Sequence, residues 1–169
     1  MRAISFYVAL CALAAVTPLL PRASRAHQTT DAFAWPAQFQ GRPLTELPLT
    51  GRDRRFADEF PGRVGRFTDG TREIILRVTT RATRRLHPAS DCLAAIGFAI
   101  EPLPARRDPD GTTWGCFAAR KPGESISVCE QIRDAAGRTW PDASSWYWPA
   151  LSGASVGPWS SATVVERQP

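Results

Sequence analysis

The segment Trp114-Gly115-Cys116-Phe117-Ala118-Ala119-Arg120-Lys121-Pro122-Gly123-Glu124-Ser125-Ile126-Ser127-Val128-Cys129-Glu130-Gln131-Ile132-Arg133 decides the fold. Two runs able to form strands, Trp114 to Ala119 and Ser125 to Arg133, flank a Lys-Pro-Gly-Glu turn, so the segment reads as an antiparallel hairpin. Cys116 lies six residues before Pro122, and Cys129 six after Gly123. In a symmetric hairpin they face each other with Cβ atoms about 4.5–5.5 Å apart, close enough to be drawn into a disulfide. A one-residue slip in register would instead send them to opposite faces.

Similar signals extend in both directions. Arg63 to Phe67 and Glu73 to Thr79 flank Asp69-Gly70, a two-residue hairpin signal. Ile74, Leu76 and Val78 alternate with Ile75 and Arg77, which gives that strand a core face and a mixed face. Pro88 to Ile96 is the best helix candidate, closed by Gly97. Phe98 and Ile100 alternate toward Pro102, and Asp108-Pro109-Asp110-Gly111 forms a turn cluster. Asp142 can cap a helical turn through Trp146-Tyr147-Trp148, limited by Pro149. Thr163 to Arg167 closes the chain as a strand. The expected class is α+β: one domain with a largely antiparallel sheet and one or two short helices. Residues 63–169 form that domain, and residues 27–62, rich in Pro, Gly and Arg, form an irregular arm.

Residues 1–26 read as an export signal. Arg2 supplies the positive start, Ile4 to Leu20 the apolar run, and Ser24-Arg25-Ala26 a cleavage site with small residues at −3 and −1. An uncleaved membrane anchor is the alternative, because the run reaches the short limit for spanning a bilayer. The 169 residues carry a net charge of +5. Setting aside Arg2, Arg22 and Arg25 leaves 18 of the 21 basic residues against 16 acidic ones. That small excess contains no basic block and does not call for nucleic acid.

Export makes an oxidising compartment the expected setting for Cys92, Cys116 and Cys129. Pairing of Cys116 with Cys129 leaves Cys92 as a free thiol, in the context Arg84-Arg85-Leu86-His87-Pro88-Ala89-Ser90-Asp91-Cys92. If Ser90 caps the helix, Cys92 falls at its second position, where N–H groups and the macrodipole favour a thiolate. If Pro88 is the first helical residue, that benefit fades. His87 precedes Cys92 by five residues, a poor match to one helix face, so the two meet only if His87 folds back from the preceding loop. The candidate catalytic set is Cys92, His87 and Arg85, with Arg84 or Arg85 orienting a carboxylate or stabilising an oxyanion. The other reading makes Cys92 a buried structural residue. Trp146, Tyr147, Trp148 and Trp159 form a candidate ligand platform, because consecutive aromatics cannot all face inward. With two histidines, no zinc spacing and no phosphate loop, no metal or cofactor is expected.

His87-Pro88 with Cys92, followed by Gly137-Arg138 and Trp146-Tyr147-Trp148, resembles the exosortase-associated periplasmic accessory proteins of exopolysaccharide loci. The likeness covers about Trp35 to Val165. Here Ala89, Ser90 and Asp91 stand where that family has a second proline and a glutamate, and the aromatic segment follows the Gly-Arg instead of preceding it. The resemblance implies a periplasmic or secreted accessory role, with a membrane-embedded exosortase-type enzyme or polysaccharide machinery as partner, and no particular reaction. Two functions follow: a non-catalytic module binding a protein or glycan, or a thiol-dependent hydrolase or transferase. Contact between Cys92 and His87 in an open groove would separate them. For the export signal, the expected outcome is a mature chain starting at His27, checked by N-terminal sequencing of exported material; recovery only in membranes with Met1 retained would mean an anchor.

Overall fold

The computed structural model describes residues 33–168. The region 1–26 read as an export signal lies outside the described residues. The chain forms β1 (Gln38–Phe39), β2 (Arg42–Pro43), β3 (Thr45–Leu47), α1 (Gly51–Glu59), β4 (Gly62–Thr68), β5 (Glu73–Thr79), α2 (Ala89–Ala94), β6 (Ala99–Arg107), β7 (Thr113–Lys121), β8 (Glu124–Arg133), β9 (Thr139–Trp140), α3 (Ala143–Ser152) and β10 (Trp159–Arg167). The class is α+β: one domain, built on a mostly antiparallel sheet with three short helices among the described residues.

The main sheet has the order β3-β4-β5-β10-β8-β7-β6, with β9 beside the end of β8. Two consecutive antiparallel units, β3-β4-β5 and β6-β7-β8, are joined by the last strand. β10 pairs with β5 from Trp159↔Thr79 to Val165↔Glu73 and with β8 from Ser160↔Arg133 to Arg167↔Ile126. Both sheet edges are blunted: β3 is three residues long, and β6 carries Pro102 and Pro104, which have no N–H to offer a further strand.

The period-2 pattern sorts the strands into two faces. On one, Phe67, Ile74, Leu76, Trp114, Cys129 and Val164 pack beneath the arm residues Trp35, Phe39 and Leu44. On the other lie the helices. Phe56 of α1 packs beside Phe60 and Val64, while Trp146 of α3 packs with Ile132 and Trp159. Leu93 of α2 packs on Phe117, Ile126 and Val128.

Four local expectations change. Asp69-Gly70 is not a two-residue loop: Thr68 pairs with Glu73, leaving residues 69–72 between the strands. Asp69 Oδ1 accepts from the N–H groups of Thr71 (3.0 Å) and Arg72 (2.8 Å), which opens the turn by two residues. Burial opposes the charge on Asp69, but these N–H donors and the Arg72 guanidinium hold its carboxyl well below the usual range. The supposed irregular arm contains α1, started by a reciprocal cap between Thr50 and Asp53. α3 runs through Pro149 to Ser152 and ends at Gly153 with φ 81°. β10 starts at Trp159, four residues before the expected strand.

The central hairpin forms as expected. Lys121 pairs with Glu124 across the Pro122-Gly123 turn, and Cys116 directly opposes Cys129. The two are joined by a disulfide with Cα atoms 4.1 Å apart. Closing a loop of 13 residues stabilises by about 3 kcal/mol in the chain-entropy model. Replacing both cysteines by alanine should therefore lower the unfolding free energy by about 2–3 kcal/mol with an unchanged circular-dichroism spectrum, as read from the urea midpoint. An unchanged midpoint would mean the bond contributes nothing.

Candidate thiol site

α2 places Cys92 over the helix-covered face of the sheet. Its N-cap is Pro88, so Cys92 is the fourth helical residue and Ser90 makes no cap. Neither starting point expected from sequence holds. The N–H of Ala89, the first helical residue, is instead taken by Glu130 of β8, with Oε1 at 2.9 Å and Oε2 at 3.0 Å. A carboxylate from the sheet thus does the work of a local cap and fixes the helix to β8.

His87 folds back from the preceding loop. Its Nε2 lies 2.8 Å from Cys92 Sγ, and its Nδ1 lies 2.9 Å from the carbonyl oxygen of Arg85. A carbonyl only accepts, so Nδ1 carries the proton in the neutral ring. Nε2 is then the acceptor, and the thiol donates to it. The Phe56 ring meets the imidazole edge-on, with centroids 5.7 Å apart, and fixes its plane from α1.

Arg77 of β5 supplies the cation at this site. It is half-buried, lies 5.4 Å from the Phe56 centroid, and donates from Nη1 to Thr163 Oγ1 at 2.9 Å. Thr163 of β10 in turn donates to Glu130 Oε1 at 3.4 Å. Burial pushes the Cys92 thiol up; Arg77 pulls it down, Glu130 and Asp91 reinforce the rise, and Arg52 opposes it. The resting sulfur is therefore a thiol.

Arg85 and Arg84 take other roles than those expected. The Arg85 side chain is exposed and paired with Glu59, so it contributes only its carbonyl to the site. Arg84 lies over the Tyr147 ring. The aromatic platform also separates. Trp146 is fully buried and Trp159 nearly so, edge to face with centroids 5.5 Å apart, so neither offers a face to a ligand. Tyr147 is half-buried and Trp148 is 64% exposed. Sequence reasoning missed Arg77, Glu130, Thr163 and Phe56. The available signal was Arg77 itself, a charge on the mixed face of an otherwise apolar strand.

Cys92 borders a groove of about 750 Å³ between α1, α2 and the sheet, whose lining also includes Arg77 and Thr163, while His87 and Glu130 line a separate small pocket that shares only Arg77 with it. Ile75, Val165, Ile126 and Val128 form part of the groove floor. A second depression of about 520 Å³ lies on the opposite face, under the arm, with no cysteine or histidine in its lining. Among the described residues, no group of three or more His, Cys, Asp or Glu could hold a metal ion, and no helix is long and apolar enough to cross a membrane. Comparison of the chain with protein-family models, curated proteins and solved structures finds no match in any of the three.

Burial raises the Glu130 carboxyl above its ordinary 4.5, against the Ala89 N–H, Arg77 and Thr163, which lower it. A raised carboxyl contributes its full stability below the unfolded value and loses it as pH climbs through the folded value. Glu130→Gln removes that dependence. In urea titrations from about pH 4 to about pH 8, the stability difference should move toward the variant as pH rises. A difference constant with pH would show that Glu130 titrates as it does in the unfolded chain.

Proposed function

We propose that the protein is a thiol-dependent hydrolase or transferase in which Cys92 is the nucleophile and His87 the general base. The observation that carries this reading is the 2.8 Å contact between Nε2 and Sγ, with Nδ1 committed to the Arg85 carbonyl. As Sγ attacks a carbonyl carbon, Nε2 takes the thiol proton and the carbonyl π electrons move to oxygen. The Arg77 guanidinium stabilises the negative charge that develops. Collapse of this adduct breaks the bond to the leaving group, which receives the proton from the imidazolium. The resulting thioester passes its acyl group to water or to another acceptor, with His87 again taking the proton.

The accessory role at an exosortase-type or polysaccharide assembly, in the periplasm or outside the cell, is a second reading. It is supported by the exposed Trp148, Leu151 and Val156 on and just after α3, a surface suited to a protein partner. The two readings place their work on different residues.

With a small activated ester such as p-nitrophenyl acetate, intact-mass analysis should show an acetyl adduct on Cys92, absent in Cys92→Ala. His87→Ala should slow its formation by about 100-fold or more while keeping the folded spectrum. Equal rates in wild type and His87→Ala would overturn the general-base reading.

A further inference from the structure

The groove that meets Cys92 is built in layers along the strands. Beside Cys92 the lining includes Arg77 and Thr163, which are hydrogen-bonded to each other, and Thr163 is bonded in turn to Glu130 outside the lining. Next in register come Ile75 beside Thr163, then Val165 beside Val128, and then Ile126 beside Arg167. Leu93, Ile96 and Phe98 form one wall, and Phe56 and Val64 stand on the other side. Ile75 and Val165 lie near the middle of the sheet, yet they are only half-buried. From Thr163 to Arg167 the floor runs about 13 Å at strand rise. It presents side-chain methyl groups on a sheet face and no free strand edge, so a peptide backbone laid there would leave its polar groups unpaired.

The rim has the opposite character. Of its four acidic residues, Glu59 is paired with Arg85, Glu73 with Arg66 and Glu124 with Lys121, while among the described residues Asp53 is held only by the neutral hydroxyl and N–H of Thr50. Arg52 and Arg55 of α1 also border the groove, and among the described residues neither has an acidic partner within salt-bridge distance. Arg52 is close enough to Cys92 to influence its ionisation. An apolar floor, a thiol suited to carbonyl attack and two guanidinium groups without an ion pair among the described residues describe the complement of an anionic acyl ester.

We propose that the groove binds an anionic phospholipid, with an acyl chain along the Ile75–Val165–Ile126 floor, the ester carbonyl at Cys92 and the phosphate at Arg52 and Arg55. This rests on the thiol reading above and names its substrate class. Cys92 Sγ forms a bond to the acyl carbon while the ester C–O bond breaks. The Cys92 proton travels through His87 Nε2 to the leaving alcohol, releasing a lysophospholipid. Water then cleaves the thioester to the free fatty acid.

The test uses full-length protein with monomeric phosphatidylglycerol or phosphatidylcholine bearing dihexanoyl or dioctanoyl chains, reading lysolipid release and the acyl mass on Cys92. The dioctanoyl glycerol lipid should react at least about 10-fold faster than either its dihexanoyl counterpart or the choline lipid of equal chain length. Arg52→Glu combined with Arg55→Glu should erase the headgroup preference and keep the chain-length preference. Ile75→Trp, which fills the floor, should erase the chain-length preference; Val165→Trp is the second variant should the first fail to fold. Equal rates for both chain lengths, equal rates for both headgroups, or faster turnover of a peptidyl ester would overturn the lipid proposal while leaving the thiol reading intact. Absence of any acyl adduct on Cys92, from these lipids and from p-nitrophenyl acetate alike, would overturn both.

Discussion

The chain of contacts Arg77–Thr163–Glu130–Ala89 sets the geometry of the rest. It runs from β5 through β10 to β8 and ends on the first N–H of the helix that carries Cys92. The half-buried Arg77 guanidinium and Glu130 carboxyl each lose hydration, and their attraction seldom returns more than that loss. The two charges are relayed through a hydroxyl that accepts from one and donates to the other. Loss of any member would leave a buried polar group without its partner, and α2 without the carboxyl that fixes its start. Strand pairing thereby determines where the thiol sits.

The same chain makes the site dependent on the last strand. Thr163 reaches both neighbours because β10 lies between β5 and β8, with Ser161 opposite Arg77 and Thr163 opposite Glu130. Before β10 is in place, the two hairpin-based units have no hydrogen-bonded neighbour in common, and Arg77 has no bridge to Glu130. These contacts join residues far apart in sequence, whose closure entropy is met late. The thiol site is completed with the sheet, not before it.

Local chemistry is what the sequence displayed. The alternation from Glu73 to Thr79 marks a strand with those bounds, and the symmetry of Cys116 and Cys129 about Pro122-Gly123 gives their pairing because a two-residue turn leaves no freedom in register. α1 escaped notice because its only substantial apolar anchor is Phe56; the Thr50–Asp53 cap, rather than a stripe, marks its start. Arg85 drew attention by adjacency in sequence, while the cation that serves the site, Arg77, is ten residues before His87 and on another element. Trp146 and Trp159 looked like a platform because burial of an aromatic cannot be read from its neighbours in sequence. Contacts set by strand order were hidden for the same reason: nothing local states that the final strand inserts at the centre.

The sheet also explains how a free thiol and a disulfide can share a small domain. Cys116 and Cys129 belong to the face under Trp35 and Phe39, whereas Cys92 lies over the face of Val128 and Glu130. Alternation along β8 places Cys129 and its two neighbours on opposite sides, so the sheet itself separates the thiol from the bond it could otherwise exchange with. Burial adds a second protection by favouring the neutral thiol at Cys92, the form that attacks disulfides and reacts with oxidants least. The same neutrality would disable a nucleophile that relied on a standing thiolate. On the proposed reading it does not disable Cys92, because His87 Nε2 lies 2.8 Å from Sγ to take the proton and the charge would be created only during attack, near the Arg77 guanidinium.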